Sequence, residues 1–238
     1  MGIGLFITGT DTGVGKTFFT CGLAALLRAN GYRVGVMKPA ETGCLVKDGK
    51  LFPDDAWRLK AASGCAEPLD RICPYRLPEP LAPSIAAERA GVKIDIAHLL
   101  ALYGEISAKH DVTLVEGAGG LMVPLVPSFT FADFARVAKL PVVVIAANKL
   151  GVINHLLLTL EHACCLGLRT QGYLLNQMSA EITPAAQTNR EVLSNMTAVP
   201  CWGELPFLSE AGFDDRETIE RFRNELNMGL IELVLGIQ

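Results

Sequence analysis

Six short runs of apolar residues occur along the chain, and each is continuous instead of alternating with polar residues. They lie at 3–9, 32–39, 111–117, 141–148, 172–177 and, more weakly, 199–206. Continuous apolar runs of this length are typical of strands that are buried on both faces of a parallel sheet. The pattern therefore predicts a central sheet that is covered by helices on both sides.

Stretches with the apolar spacing of helices lie between these runs, at 17–30, 94–110, 131–139, 151–166, 184–196 and 217–235. Gly31 follows the first stretch, where a glycine commonly ends a helix, and we expect Gly229 to interrupt the last one. Strands that alternate with helices favour right-handed β-α-β connections. We therefore predict one α/β domain over residues 1–238, with a single doubly wound, mostly parallel sheet flanked by helices.

The segment 74–84, PYRLPEPLAPS, departs from both patterns because it contains four prolines. Proline restricts the backbone and removes a hydrogen-bond donor, which disfavours a regular element. We predict an ordered loop here, which covers one face of the domain or an interface.

Composition and charge narrow the classes of partner. The chain is 50% hydrophobic, as expected for a globular protein, and its net charge of −4 comes without a basic stripe, so we expect no nucleic acid partner. The longest apolar runs are too short to span a bilayer, and the N-terminal MGIGLF lacks the features of a secretory signal. Seven scattered cysteines without Cys-x-x-Cys spacing are typical of reduced thiols. We therefore expect a cytoplasmic protein with no membrane partner.

The first apolar run leads into a glycine-rich turn, IGLFITGTDTGVGKT, at residues 3–17. The turn approximates the phosphate-binding loop G-x-x-x-x-G-K-[ST]: Gly15, Lys16 and Thr17 match, whereas Thr10 replaces the first glycine. A strand before the turn and a helix after it provide amide groups and a helix dipole that bind phosphate. We expect Lys16 to reach the outer phosphates and the Thr17 hydroxyl to bind Mg²⁺; the alternative is an ordinary turn that starts a helix.

Three further charged residues are candidates for the same site. Glu116 ends the strand TLVEG, at the edge where ligands bind in open α/β sheets, and a carboxylate suits Mg²⁺. Asp55 starts a predicted helix, and from the residues alone it is better explained as an N-cap, a role that Asp54 suits equally. Lys38 ends the second apolar run, where it faces either the phosphate crevice or solvent.

An ordered set of segments resembles the dethiobiotin synthetase family. The segments are GTDTGVGKT, MKPAETG, DDA, VEGAGGLMVPL, TFADFA, NKLGVINH, GYLLNQ and GELPFL, and together they span essentially the whole chain. The resemblance implies a P-loop NTPase-like fold and a Mg²⁺-dependent ligase that closes the ureido ring of dethiobiotin from 7,8-diaminopelargonic acid, CO₂ and ATP. In the implied reaction, a carbamate formed on one amine attacks the γ-phosphate. The second amine then displaces phosphate from the carbamic–phosphoric anhydride.

The resemblance also implies roles for individual residues, segment by segment. Lys38 and Lys16 correspond to catalytic lysines, Thr42 to a hydroxyl that contacts the diamine, and Thr17, Asp55 and Glu116 to the Mg²⁺ ligands. The family is a homodimer, and Asn154 lies in a stretch that resembles the one contacting the substrate carboxylate from the other subunit. Nucleotide contacts are implied for Gly13, Val14, Gly15, Lys16, Thr17, Phe18, Asp55, Glu116, Gly117, Ala118, Gly119, Asn176, Gln177, Leu205, Pro206 and Phe207.

Two features of this set affect nucleotide recognition. An Asn side chain can both accept from and donate to the adenine edge, so we expect Asn176 to face the base. Some family members carry an acid where this chain has Gly13. We expect that departure to alter loop flexibility or nucleotide preference, and to leave the chemistry unchanged.

Three other functions remain as alternatives. A GTPase-like switch is suggested by Asn148-Lys149-Leu150, but Gly151 replaces the Asp that would read guanine. A positioning or partition ATPase would carry a further lysine at 9–11, where this chain has Gly, Thr and Asp. A related amide-forming ligase that uses glutamine would need an additional glutaminase domain. The ordered set of segments favours the synthetase over all three.

Overall fold

A six-stranded parallel sheet forms the centre of the structure, a computed structural model that describes residues 2–208 and 216–236. The sheet has the order β12-β11-β10-β1-β7-β2, and its strands coincide with the six predicted apolar runs to within a few residues. The strands of the chain are β1 (Ile3–Gly9), β2 (Val34–Met37), β3 (Ala40–Thr42), β4 (Leu45–Lys47), β5 (Lys50–Phe52), β6 (Tyr75–Leu77), β7 (Val112–Gly120), β8 (Pro124–Val126), β9 (Phe129–Thr130), β10 (Val142–Ala147), β11 (Thr170–Asn176) and β12 (Cys201–Leu205).

Helices connect the strands of this sheet, so the predicted alternation of strands and helices is confirmed. They are α1 (Lys16–Ala29), α2 (Asp54–Ser63), α3 (Leu69–Ile72), α4 (Pro83–Arg89), α5 (Ile96–Lys109), α6 (Phe131–Val137), α7 (Val152–Cys165), α8 (Pro184–Met196), α9 (Arg216–Asn224) and α10 (Met228–Leu235). None of the helices within residues 2–208 and 216–236 combines the length and the hydrophobicity that a membrane span requires.

Alternate residues of the strands pack on opposite faces of the sheet. On β1, Leu5 and Ile7 belong to a core that includes α1 and α2, whereas Phe6 belongs to a second core with α5, α6 and α7. Both cores are built mainly from aliphatic side chains that are fully buried. Burial on both faces explains why the strands are continuous apolar runs.

The predicted interruption of the last helix is present, but it lies at 225–227 and not at Gly229. The chain leaves the helical conformation between α9 and α10, and Asn227 starts α10 by accepting a hydrogen bond from the backbone N–H of Leu230. Gly229 lies inside the first turn of α10. A side chain that caps a helix start decides the boundary here, because a single helical glycine costs only about 1 kcal/mol.

The sequence predicts a loop over the proline-rich segment 74–84, but part of this segment forms a strand and the start of a helix. Residues of β6 pair in parallel with β3, with Ala40 opposite Tyr75. Prolines flank this short strand, and Pro83 occupies the start of α4, where a helix needs no N–H donor. The segment therefore joins two short elements that both contact β3.

Candidate active site

The turn between β1 and α1 has the shape of a phosphate-binding loop. Gly13 and Gly15 adopt positive φ angles of 74° and 95°, and Gly15 is the N-cap of α1. Lys16 is buried, and its ammonium donates a hydrogen bond to the carbonyl oxygen of Asp11 at 3.0 Å. The loop therefore folds back over the lysine at the N-terminus of a 14-residue helix, an arrangement that suits an anion.

Asn176 holds this loop from the end of β11. Its side-chain nitrogen donates to the carbonyl oxygen of Val14 at 3.1 Å and contacts the sulfur of Met178 at 3.2 Å. A Cβ atom on Gly15 would lie 2.1 Å from that same nitrogen. Both the φ angle and the close approach of Asn176 therefore require glycine at position 15. The adenine contact of Asn176 stays a prediction.

Strand order brings the charged candidates together. Lys38 follows β2, the phosphate loop follows β1, and β7, which carries Glu116, lies between these two strands. Glu116 pairs with Ile7 of β1 near the end of that strand. Three segments that are distant in the chain thus end at one edge of the sheet, as ligand sites in open α/β folds require.

Four side chains form the group that we call the Lys38 cluster: Thr17, Lys38, Asp55 and Glu116. The ammonium of Lys38 lies 2.9 Å from Oδ2 of Asp55 and 2.5 Å from Oε1 of Glu116. The hydroxyl of Thr17 donates to the same Glu116 oxygen at 2.8 Å. Lys38 is only 3% exposed and Glu116 is fully buried, so the solvent-facing alternative for Lys38 is wrong.

Asp55 is not the N-cap of its helix. The N-cap of α2 is Pro53, which offers no side-chain acceptor, and both Asp54 and Asp55 lie in the first turn. Asp54 pairs with Arg58 at the surface, at 2.8 Å, whereas Asp55 faces Lys38. The N-cap interpretation that the residues alone favoured is therefore wrong for both acids.

The charges of the Lys38 cluster shift the pKa values of its members. Burial by itself would lower the pKa of Lys38, but Glu116 and Asp55 raise it above its ordinary value. Burial would raise the pKa of Asp55, and Lys38 lowers it instead. For Lys16, burial and then the charge of Lys38 lower the pKa to about 8. Near neutral pH, the Lys38 ammonium therefore lies beside an ionised Asp55 carboxylate.

The cluster has the donor atoms that suit Mg²⁺. Oε2 of Glu116 is buried and has no hydrogen-bond partner among the described residues, and a buried carboxylate oxygen normally has one. Glu116, Asp55 and Thr17 all offer oxygen, the ligand atom that Mg²⁺ prefers. The described ranges contain no group of three His, Cys, Asp or Glu side chains that could hold a metal. A cation here would therefore need the hydroxyl of Thr17 and oxygens from a ligand.

A cavity of about 620 Å³ opens between the phosphate loop and the Lys38 cluster. Its wall also includes Glu41, Thr42 and the segment 80–83. The predicted site residues that line it are Gly13, Gly15, Lys16, Thr17, Phe18, Lys38, Thr42, Asp55, Ala118 and Gly119. The structure thus brings most of the predicted phosphate residues, Thr42 and two of the three predicted metal ligands to one cavity wall, whereas Glu116 is fully buried and does not line the wall.

Other predicted residues lie outside this wall. Asn154 is exposed on α7 and lines a separate hollow of about 520 Å³ beside the end of α8. Leu205 is buried in the core at the end of β12, and its carbonyl oxygen accepts from the N–H of Gln177 at 2.9 Å. Pro206 and Phe207 follow it. Their proposed nucleotide and substrate contacts stay predictions.

Sequence reasoning missed Glu41, which lies in the cavity wall. Both of its carboxylate oxygens accept backbone N–H groups from the first turn of α2. The available signal was a helix beginning Pro-Asp-Asp, without Ser, Thr or Asn before it. That signal indicates that an acceptor must come from elsewhere, but it does not say from which residue.

Comparisons with known proteins identify the family of the chain. A family model described as AAA domain matches residues 3–213. An ATP-dependent dethiobiotin synthetase from Thermodesulfovibrio yellowstonii is 40% identical over 90% of this chain and 92% of its own. One from Anaeromyxobacter sp. strain K is 43% identical over 82% of this chain and 85% of its own. The chain belongs to the ATP-dependent dethiobiotin synthetase family.

The structural likeness extends beyond this family. A plasmid partition protein from Borrelia burgdorferi B31, whose structure is bound to AMPPNP, superposes with a TM-score of 0.60. The superposition covers 99% of this chain and 98% of that one, at 14% sequence identity. At that identity the likeness shows the fold alone.

Proposed function

We propose that this chain is an ATP-dependent dethiobiotin synthetase, a carbon–nitrogen ligase of biotin biosynthesis in a single domain. It joins 7,8-diaminopelargonic acid and CO₂ into dethiobiotin and converts ATP to ADP and phosphate. The observation that carries the proposal is the buried ammonium of Lys38, which lies between Asp55 and Glu116 in the cavity that Thr42 and the phosphate loop also line. The names of the relatives support the same reaction.

Thr17, Asp55 and Glu116 are the residues that would hold Mg²⁺ in this enzyme. Bound there, Mg²⁺ would offset the negative charge of the β- and γ-phosphates of ATP. The unpartnered Oε2 of Glu116 and the positive charge already held between the carboxylates support this assignment.

The loop and its lysines provide the remaining phosphate contacts. The N-terminus of α1 directs its amides and its dipole at the triphosphate, and Lys16 reaches the outer oxygens. A carbamate that approaches the γ-phosphate brings two anions together, which is unfavourable without compensating charge. Lys16 and Lys38, which both line the cavity, supply that charge.

The same cavity positions the diamine. The Thr42 hydroxyl contacts one amine, and the segment 80–83, Pro-Leu-Ala-Pro, lines the wall where methylene groups pack. Holding the carbamate oxygen in line with the γ-phosphate and the departing ADP oxygen, and the second amine beside the carbamate carbon, replaces collisions between separate molecules. The ring then closes when the second amine attacks the activated carbonyl carbon and phosphate leaves.

We also propose a homodimer in the cytoplasm. Asn154 lies outside the cavity of its own chain, so it would reach a substrate only in another subunit. Exposed apolar side chains lie on α7, on the turn before it and on the turn after β7: Leu158 (62% exposed), Leu150 (86%) and Met122 (51%). The seven cysteines are free thiols, as is typical of a reducing compartment. Light scattering coupled to size-exclusion chromatography tests the dimer; a monomer at micromolar concentration would contradict it.

An assay with labelled bicarbonate tests the reaction. Purified protein should form ADP rapidly only with both diamine and bicarbonate, and the label should enter a stable ring product. A positioning or switch ATPase with this fold would instead hydrolyse ATP without diamine and incorporate no label. That second result would reject the synthetase proposal.

A further inference from the structure

Glu41 connects the two segments that carry the Lys38 cluster. Its buried carboxylate accepts from the N–H of Asp55 through Oε1 and from the N–H of Ala56 through Oε2, both at 3.0 Å. Glu41 lies on β3, three residues after Lys38 and next to Thr42. One side chain thus fixes the start of the helix that carries Asp55 against the segment that carries Lys38 and Thr42.

Helix α2 has no side-chain N-cap of its own. Its N-cap residue is Pro53, and the adjacent Asp54 pairs with Arg58. The first N–H groups of a helix have no acceptor within the helix, and a buried donor that loses its acceptor is costly. The position of the first turn of α2 therefore depends on Glu41.

We propose that Glu41 is a positioning residue of the Mg²⁺ site. By holding the backbone N–H of Asp55, it sets the Asp55 carboxylate at the distance from Thr17 and Glu116 at which all three can share one cation. The inference rests on the proposed function, because it requires Asp55 to be a metal ligand. Residues that orient a ligand without touching the metal commonly contribute about 10- to 100-fold to metal affinity.

The substitution Glu41→Gln tests this role. The amide keeps the shape of the side chain, but it has one acceptor oxygen and turns N–H groups toward the second helix donor. We expect the dissociation constant of Mg²⁺, measured by calorimetry on protein saturated with ADP, to rise about 10-fold or more. The affinity for ADP without Mg²⁺ should stay unchanged, because the phosphate loop is untouched.

A second variant separates the connection to β3 from simple helix capping. In Glu41→Gln/Pro53→Asp, the aspartate gives α2 a cap from its own N-cap position, but the link to β3 is still missing. We expect the melting temperature to recover and the Mg²⁺ affinity to remain low. Recovery of both would mean that Glu41 only caps the helix, which would overturn the proposal. If Glu41→Gln does not fold, the Mg²⁺ affinity is measured on the double variant instead.

Asp95→Ala is the matched control. Asp95 caps α5 by accepting from the N–H of His98 at 3.1 Å, and α5 contributes no residue to the cavity wall. Its loss should lower the melting temperature and leave the Mg²⁺ affinity unchanged. An equal loss of Mg²⁺ affinity in Asp95→Ala would attribute the effect to general loosening and overturn the proposal.

The Mg²⁺ site and the positioning role of Glu41 are tested separately by these measurements. If the natural sequence binds no Mg²⁺ in the presence of ADP, the cation site of the proposed function is wrong. If it binds Mg²⁺ and Glu41→Gln binds it equally well, only the positioning role of Glu41 is wrong.

Discussion

Lys38 and Glu116 are 78 positions apart in the chain, yet the ammonium of Lys38 lies 2.5 Å from Oε1 of Glu116. Both side chains are buried, and the second oxygen of Glu116 has no partner among the residues that the structure describes. Breaking a buried ion pair by removing one partner leaves an uncompensated charge. The pair therefore links the stability of the fold to the chemistry of the site.

Removal of the Lys38 charge should destabilise the protein as well as inactivate it. Lys38→Met keeps most of the side-chain volume and leaves Glu116 and Asp55 without a cation. We expect it to lower the free energy of unfolding, measured with urea in the absence of Mg²⁺, by about 3–5 kcal/mol. Added Mg²⁺ and ADP should recover part of that loss, because the cation binds the same carboxylates. Lys93→Met, at an exposed position, is the matched control. A loss for Lys38→Met no larger than that of the control would contradict the buried pair.

Gly15 is under a steric constraint that Gly13 does not share. Both residues have positive φ, but a Cβ on Gly13 meets no atom within 4 Å, whereas one on Gly15 would lie 2.1 Å from Asn176. Gly13→Ala should lower the free energy of unfolding by about 1–2 kcal/mol, because alanine is strained in the left-handed backbone conformation. Gly15→Ala should lower the free energy of unfolding by clearly more than that. It should also weaken ADP binding, which calorimetry measures. Equal effects of the two substitutions would mean that Asn176 does not hold the loop.

The strands and the outline of the phosphate loop could be predicted from the sequence, because continuous apolar runs and Gly15-Lys16-Thr17 are local signals. The meeting of Lys38 with Glu116 could not, since it depends on β7 lying between β1 and β2. The role of Glu41 depends on the same long-range packing. The residues around Asp55 favour a helix N-cap, so only the family resemblance predicts Asp55 as a Mg²⁺ ligand.

Proton uptake should accompany nucleotide binding in alkaline solution. Burial and Lys38 lower the pKa of Lys16 to about 8, and phosphate oxygens beside the ammonium would raise it again. Above about pH 8 the free protein has lost this proton and the complex regains it, so Mg²⁺-free ADP affinity should fall as pH rises. Calorimetry in two buffers of different ionisation enthalpy measures the uptake. Uptake that persists in Lys16→Met would assign it to another group.

Thr42 should contribute to binding of the diamine more than to the chemical step. Thr42→Val removes a hydroxyl at nearly constant volume, and loss of one hydrogen bond should raise the diamine KM about 3- to 10-fold. The kcat should change little if the contact is equally strong in substrate and transition state. Steady-state kinetics, with Thr188→Val on the exposed face of α8 as the control, measure both. An unchanged KM would remove Thr42 from the substrate site.

Crystals grown with Mn²⁺ and AMPPNP test the central claim most directly, since the anomalous signal of Mn²⁺ locates the cation independently of the protein model. We predict one peak in contact with Thr17, Asp55 and Glu116, with the triphosphate on the amides of residues 13–17. A peak elsewhere, or a nucleotide that binds away from the turn between β1 and α1, would contradict it.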